Sequence, residues 1–305
     1  MKPLPRPLGT LKFLLAWLAP WSPAFGIRAG RWNLTFFVHY RDAIGRHIAK
    51  YGTHEPLLTQ WLDDYLNAAP TGIVVDVGAN VGWHTLHAAQ HRNVEAVVAF
   101  EADLFNACLL DRALAKNKVD KVIVNVCAVG AECGVGRLFR YRSSNFGRHT
   151  LVTDHGHGSR SVQVVDLDGA LADLGFQDRP ISVIKIDVEG YEPAVIAGAA
   201  KSITRAEAVI IEYSPDMSQA GGLSTENLLT RLTGAGLTPF ALLSGGGTVR
   251  LTPADLQGFK GSLDVIWFRE DRATPGAIAA MRVHERGNLT LREIAERNKR
   301  IVTPI

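Results

Sequence analysis

The sequence predicts an α/β fold, a Rossmann-like seven-stranded, mostly parallel sheet with helices on both faces and an antiparallel edge strand. Three observations carry this. Short runs of Val and Ile recur between helical patterns, which is how strands buried on both faces read. The first run ends in an acid and then a glycine-rich bend that opens directly into a helix. A later run, "ISVIKIDVEGYEP", is apolar until charge gathers near its end. At 305 residues and 47% hydrophobic, the chain can bury a sizeable core, and its 21% charged fraction is ordinary for a globular protein.

Strands are expected at 73–77, 96–100, 122–127, 181–186, 208–213, 239–243 and 264–268, each a short β-branched or aromatic run. Helices are expected between them at 82–91, 104–116, 168–174, 193–202 and 225–233. "GGG" and a short polar segment join the last two strands, and a non-helical link suits an antiparallel pair at one edge. Residues 71–271 are thus the expected main domain. Residues 1–70 read as a helical N-terminal extension with an amphipathic helix over 54–69, and residues 272–305 as a basic helical tail. The Gly-, His- and Ser-rich stretch 137–160 breaks the rhythm and is expected to be a functional loop; with 214–224 it would choose the substrate.

The net charge of +3 hides basic ends on an acidic middle: residues 1–50 hold eight Lys/Arg against Asp42, and residues 272–305 seven against three acids. Such ends suit an anionic contact, including peripheral contact of the N-terminus with an anionic membrane. The apolar run at 13–19 follows three basic residues but stops at Pro20, far short of the roughly 20 residues of a spanning helix. Cys108, Cys127 and Cys133 form no CxxC pair, which argues against a zinc knuckle or a disulfide framework and for a reducing, cytoplasmic setting.

The bend "VVDVGANVGWHT" is built to meet a ligand. Gly78 permits a tight turn, Gly82 a close helix approach, and Asn80 tolerates positive φ. A dinucleotide fingerprint would need glycine at 80 and 83, where Asn80 and Trp83 stand. Asp76 ahead of the turn would repel a pyrophosphate and suits an ammonium or sulfonium. Glu101, at the tip of the next strand, can accept hydrogen bonds from two ribose hydroxyls. Further on, Lys185 and Asp187 share one side of a buried strand, Glu189 and Glu192 follow, and Glu212 ends the neighbouring strand.

"VVDVGANVGWHTLHAA", "AFEAD", "VDLDG" and above all "IKIDVEGYEPAVIAGA" resemble the FkbM-type family of class I S-adenosylmethionine-dependent methyltransferases, over roughly residues 50–215; "GTHEP" upstream is similar to a G-x-x-E-P preceding that family's first strand. The resemblance implies S-adenosylmethionine as cofactor and O-methylation of a hydroxyl on a sugar, glycan or related natural product. It implies that Asp76, Gly78, Ala79, Asn80 and Gly82 hold the methionine portion and Glu101 the ribose. Ala128 and Val129 would lie beside adenine, and Asp187 near the methyl group.

Asp187 is the first candidate for general base and His149 the second, imidazole having the better intrinsic pKa. Asp187 and Glu212 could jointly hold Mg²⁺, but two ligands are few, and no resident metal is expected. His84, His87 and His91 share one helical face and read as a solvated face. Nucleic-acid methylation is the runner-up activity, with neither an N/D-P-P-Y/F pattern nor an aromatic platform to support it. A non-catalytic binding module is the alternative from another class.

Overall fold

The structure, a computed structural model, describes Leu11 and residues 24–39, 42–141 and 145–302. The apolar run at 13–19 lies outside the described residues. No helix among those described is long and apolar enough to cross a membrane.

The N-terminal part is not purely helical. β1 (Ala24–Ala29) and β2 (Leu34–His39) pair as an antiparallel hairpin across Gly30 and Asn33, both at positive φ. The alternation Leu34, Phe36, Val38 was the readable sign, since these side chains are buried while their neighbours are less so. α1 (Ala43–Tyr51) and α2 (Pro56–Ala68) follow, the first capped by Asp42 and ended by Gly52 in the left-handed conformation.

The central sheet then begins. β3 (Gly72–Val77), α3 (Trp83–Ala88), β4 (Val94–Phe100), α4 (Leu104–Asn117) and β5 (Val122–Asn125) form the first half. The short β6 (Ala128–Val129) leaves the main sheet and joins β7 (Gly134–Phe139) and β8 (Ser159–Val165) in a separate three-stranded sheet. The stretch expected as one long loop therefore carries strands at both ends, its alternating exposure on β8 having been masked by polar residues. What remains irregular includes a single 3₁₀ turn at Phe146–Arg148.

The second half runs α5 (Leu167–Asp173), β9 (Ile181–Ile186), α6 (Glu192–Ala197), α7 (Ala200–Arg205), β10 (Ala206–Tyr213), α8 (Pro215–Ala220), α9 (Thr225–Gly234), β11 (Thr238–Leu242), β12 (Thr248–Arg250), α10 (Pro253–Leu256) and β13 (Leu263–Phe268). The helix expected over 193–202 is two, broken at Gly198, where a Cβ would stand 2.0 Å from the Gly130 carbonyl oxygen. α11 (Pro275–Met281), β14 (Val283–His284) and α12 (Leu291–Val302) complete the chain. The C-terminal segment is no loose tail: β14 pairs with β12, and Leu291, Ile294 and Ala295 enter the core.

The main sheet has the order β14-β12-β11-β13-β10-β9-β3-β4-β5. β3 and β9, side by side at its centre, are buried at every position, which is why their sequences are near-continuous Val and Ile. β13 runs antiparallel to both its neighbours, β10 and β11, inside the sheet, and β12 and β14, which run against β11, make an antiparallel edge. β12 and β14 extend the sheet beyond the seven expected strands. The order puts the carboxyl ends of β3, β4, β9 and β10 along one rim, and a ligand crevice forms there.

That rim is pinned by Glu192, 1% exposed, whose Oε1 accepts from the Val188 and Gly190 amides while Oε2 has no partner. Burial pushes its carboxyl up to about 8. A carboxyl raised in the fold contributes stability at low pH and loses it as pH climbs through that value. Glu192→Gln, which imitates the protonated form, is expected to flatten the decline of unfolding free energy between pH 5 and 8.5 in urea titrations. An unchanged slope would show that the native carboxyl is ionised.

Candidate active site

A cavity of about 610 Å³ opens on this rim, floored by the β3–α3 bend and walled by the tips of β4, β9 and β10. The bend has the predicted geometry. Gly78, Asn80 and Gly82 all have positive φ, at 84°, 52° and 83°. The Gly78 and Ala79 amides both donate to the Phe100 carbonyl, at 2.9 and 3.0 Å, tying the bend to β4. A Cβ on Gly78 would lie 1.9 Å from the Asp187 carbonyl oxygen, so the bend and the tip of β9 touch through backbone.

Glu101 is buried, and each carboxylate oxygen accepts one backbone amide at 2.7 Å, Asn80 N on Oε2 and Asp103 N on Oε1. Burial, opposed by those amides and aided by Asp103 and Asp76, pushes its carboxyl up to about 7. Asp103 is itself clamped by Arg160 at 2.8 Å and His149 at 3.3 Å. His149 therefore has its ion partner on the β4 side of the cavity, two residues beyond Glu101. Ala128 and Val129 are buried in the cavity wall, as an adenine site requires.

Asp76, 2% exposed, accepts the Thr85 hydroxyl on Oδ2 at 2.6 Å, while its Oδ1 has no partner. An orphaned buried carboxylate oxygen beside a bend with positive-φ glycines fits a cationic nucleoside ligand, and S-adenosylmethionine brings both an ammonium and a sulfonium. Asp76, the bend and Glu101 would hold it.

At the tip of β9, Lys185 is 5% exposed and donates to Asp187 Oδ2 at 2.9 Å. Burial acts to lower the lysine, but Asp187, Asp76 and Glu55 outweigh it and raise it above its ordinary range. Asp187, 28% exposed at the side chain, opens on the cavity. Asp187, Glu189 and Glu212 hold one carboxylate oxygen each within 4.8 Å of one another, a third acid beyond the two the sequence offered. Arg148 pairs with Glu189 at 3.2 Å, and Ser262 donates to Glu212 at 2.7 Å. Burial followed by the nearby Asp187 pushes Glu189 up to about 7 and Glu212 well above its ordinary range. Protons and paired cations thus meet much of this cluster's charge.

His84 and His87 of α3 and His91 just beyond it do not form a solvated face. His84, His87 and His91 are all buried against α2 and the hairpin. His84 Nε2 lies 2.8 Å from Glu55, and Asp63 lies 3.5 Å from His87 and 2.9 Å from His91. The helical pattern shows which residues share a face but not that α2 folds over it bringing two acids. His54, Glu55 and His84 line the cavity with His47 of α1. The sequence marks "GTHEP" as a motif but points to no role for His47, His54 or Glu55. Arg148 and Lys299, also in the lining, were missed as well.

The profile of the methyltransferase FkbM domain matches residues 76–237, just over half of the chain. No curated protein matches. Similar solved structures include a Streptococcus mutans protein in complex with S-adenosylhomocysteine (12% identity, 69% of this chain and 97% of that one, TM-score 0.40). They also include an rRNA methylase from Streptococcus thermophilus (14%, 70% and 93%, 0.38) and TYW2 of M. jannaschii with AdoMet (13%, 81% and 87%, 0.37). The matched segment begins at Asp76 and contains the bend, Glu101 and the Lys185–Asp187 tip described above, and the chain belongs to the FkbM family of S-adenosylmethionine-dependent methyltransferases.

Proposed function

We propose that the enzyme methylates a hydroxyl of a sugar, glycan or related natural product. One observation supports this over nucleic-acid methylation. The cavity lining holds six carboxyl groups (Glu55, Asp76, Glu101, Asp187, Glu189 and Glu212) against the cations Lys185, Arg148 and Lys299. Lys185 and Arg148 are already paired with Asp187 and Glu189, which leaves little free cationic charge in the lining for a phosphate backbone, whose binding rests on neutralisation by Lys and Arg. Carboxylates accept hydrogen bonds well from the hydroxyls of a neutral polyol.

The bound cofactor supplies an electrophilic methyl group. The protein's task is to hold the acceptor oxygen in line with it and to take the proton. Asp187 is the group we assign to receive that proton, fixed in orientation by Lys185. Of the segments expected to choose the acceptor, 137–160 lines the cavity through Arg148, and 214–224 packs behind it, with Arg148 3.6 Å from Met217 and Val152 under Gly221. Free Cys108, Cys127 and Cys133 support a reducing, cytoplasmic setting.

The test is a screen of sugars, glycans, natural-product hydroxyls and structured RNAs for acceptor-dependent release of S-adenosylhomocysteine. Turnover with a neutral polyol is the expected result. Turnover with RNA and with none of the hydroxyl panel would overturn the reading.

A further inference from the structure

We propose that Glu55, which lies ahead of the matched family segment, anchors the ammonium of the cofactor's amino-acid end. Glu55 is the N-cap of α2, yet its side chain makes no capping bond, and its backbone is left-handed at φ 42° and ψ 61°. A non-glycine residue held in that conformation is strained, and such strain gathers at ligand sites. The carboxylate makes no bond to the helix that it should cap and lines the cavity instead. Its Oε2 meets His84 Nε2 at 2.8 Å, in the first turn of α3 directly after Gly82, and its Oε1 lies 3.5 Å from His54 Nε2. The carboxylate is thereby fixed beside the bend that carries the methionine portion.

The second observation is Asp76. Its buried Oδ1 lacks a partner, and Asp76 and Glu55 both act on the Lys185 ammonium. Two carboxylates thus converge on one end of the cavity, and the orphaned oxygen calls for a donor. Burial would raise Glu55, but His54, His84 and Lys185 outweigh it and hold its carboxyl well below the usual range. An anion that stays ionised is a poor base and a good partner for an ammonium. Nothing in this assignment depends on the identity of the methyl acceptor.

The test compares two ligands that differ in the amino-acid end: S-adenosylhomocysteine, which has it, and 5′-methylthioadenosine, which lacks it. Calorimetry on the full chain should show Glu55→Gln binding S-adenosylhomocysteine about 10- to 100-fold more weakly, as expected for loss of a charge-assisted hydrogen bond, with 5′-methylthioadenosine unchanged. Glu55→Gly removes the carboxylate and relieves the positive φ, so it should melt no lower than wild type and show the same selective loss; it carries the test if the Gln variant misfolds. Equal weakening of both ligands, or of neither, overturns the proposal. Wild-type protein that binds neither ligand overturns it together with the cofactor assignment.

Discussion

Gly78→Ala is expected to lower the melting temperature by about 5 °C and to weaken S-adenosylhomocysteine binding about tenfold or more. The added Cβ would stand 1.9 Å from the Asp187 carbonyl oxygen and 2.9 Å from its carbon, both backbone atoms that no rotamer can move. The residue must also keep φ at +84°, which a side chain resists. Together these are worth about 3 kcal/mol, from overpacking and backbone strain. Relief requires β3 and β9 to part at their tips, and that separates the bend from Asp187. Gly134→Ala is the control, because a Cβ there meets nothing within 4 Å. It should melt as wild type does. A Gly78→Ala protein with wild-type melting and affinity would show that the two tips do not touch.

That contact shows what the sequence could reveal. The glycine at 78, the Asn80 backbone and the acid at the tip of β4 each follow from local rules, since a βα bend constrains its own residues. The parallel core was legible for the same reason: β3 and β9 are buried on both faces and therefore apolar throughout. The N-terminal wall was not. Whether His84, His87 and His91 face water or acids depends on α2 lying across α3, a contact between segments some 25–30 residues apart that no periodicity encodes. The hairpin at 24–39 was legible in its alternation but competes with helical neighbours for the same reading. The position of β13 was hidden too, because an antiparallel strand reads alike at an edge and inside a sheet.

Lys185 and Asp187 give the second large effect, and their two substitutions should separate stability from chemistry. Lys185 is the buried cation on which Asp187, Asp76 and Glu55 all act. Lys185→Met leaves those carboxylates facing one another, and removing one partner of a buried pair costs about 3–5 kcal/mol. The loss has a definite pH sign. Carboxyls deprived of their cation bind protons more readily in the fold, so the variant regains stability as pH falls and they are neutralised. Urea unfolding at pH 5.5 and 8 should show the deficit shrinking at the acid value; an equal deficit at both would make the lysine's role one of packing. Asp187→Asn leaves Lys185 with Asp76 and Glu55 and should unfold near wild type. Its turnover should fall about 100-fold, the scale of a lost general base. S-adenosylhomocysteine lacks the transferable methyl, so its affinity should change little in that variant. Normal turnover in Asp187→Asn would instead leave the acceptor's proton to another group in the cavity.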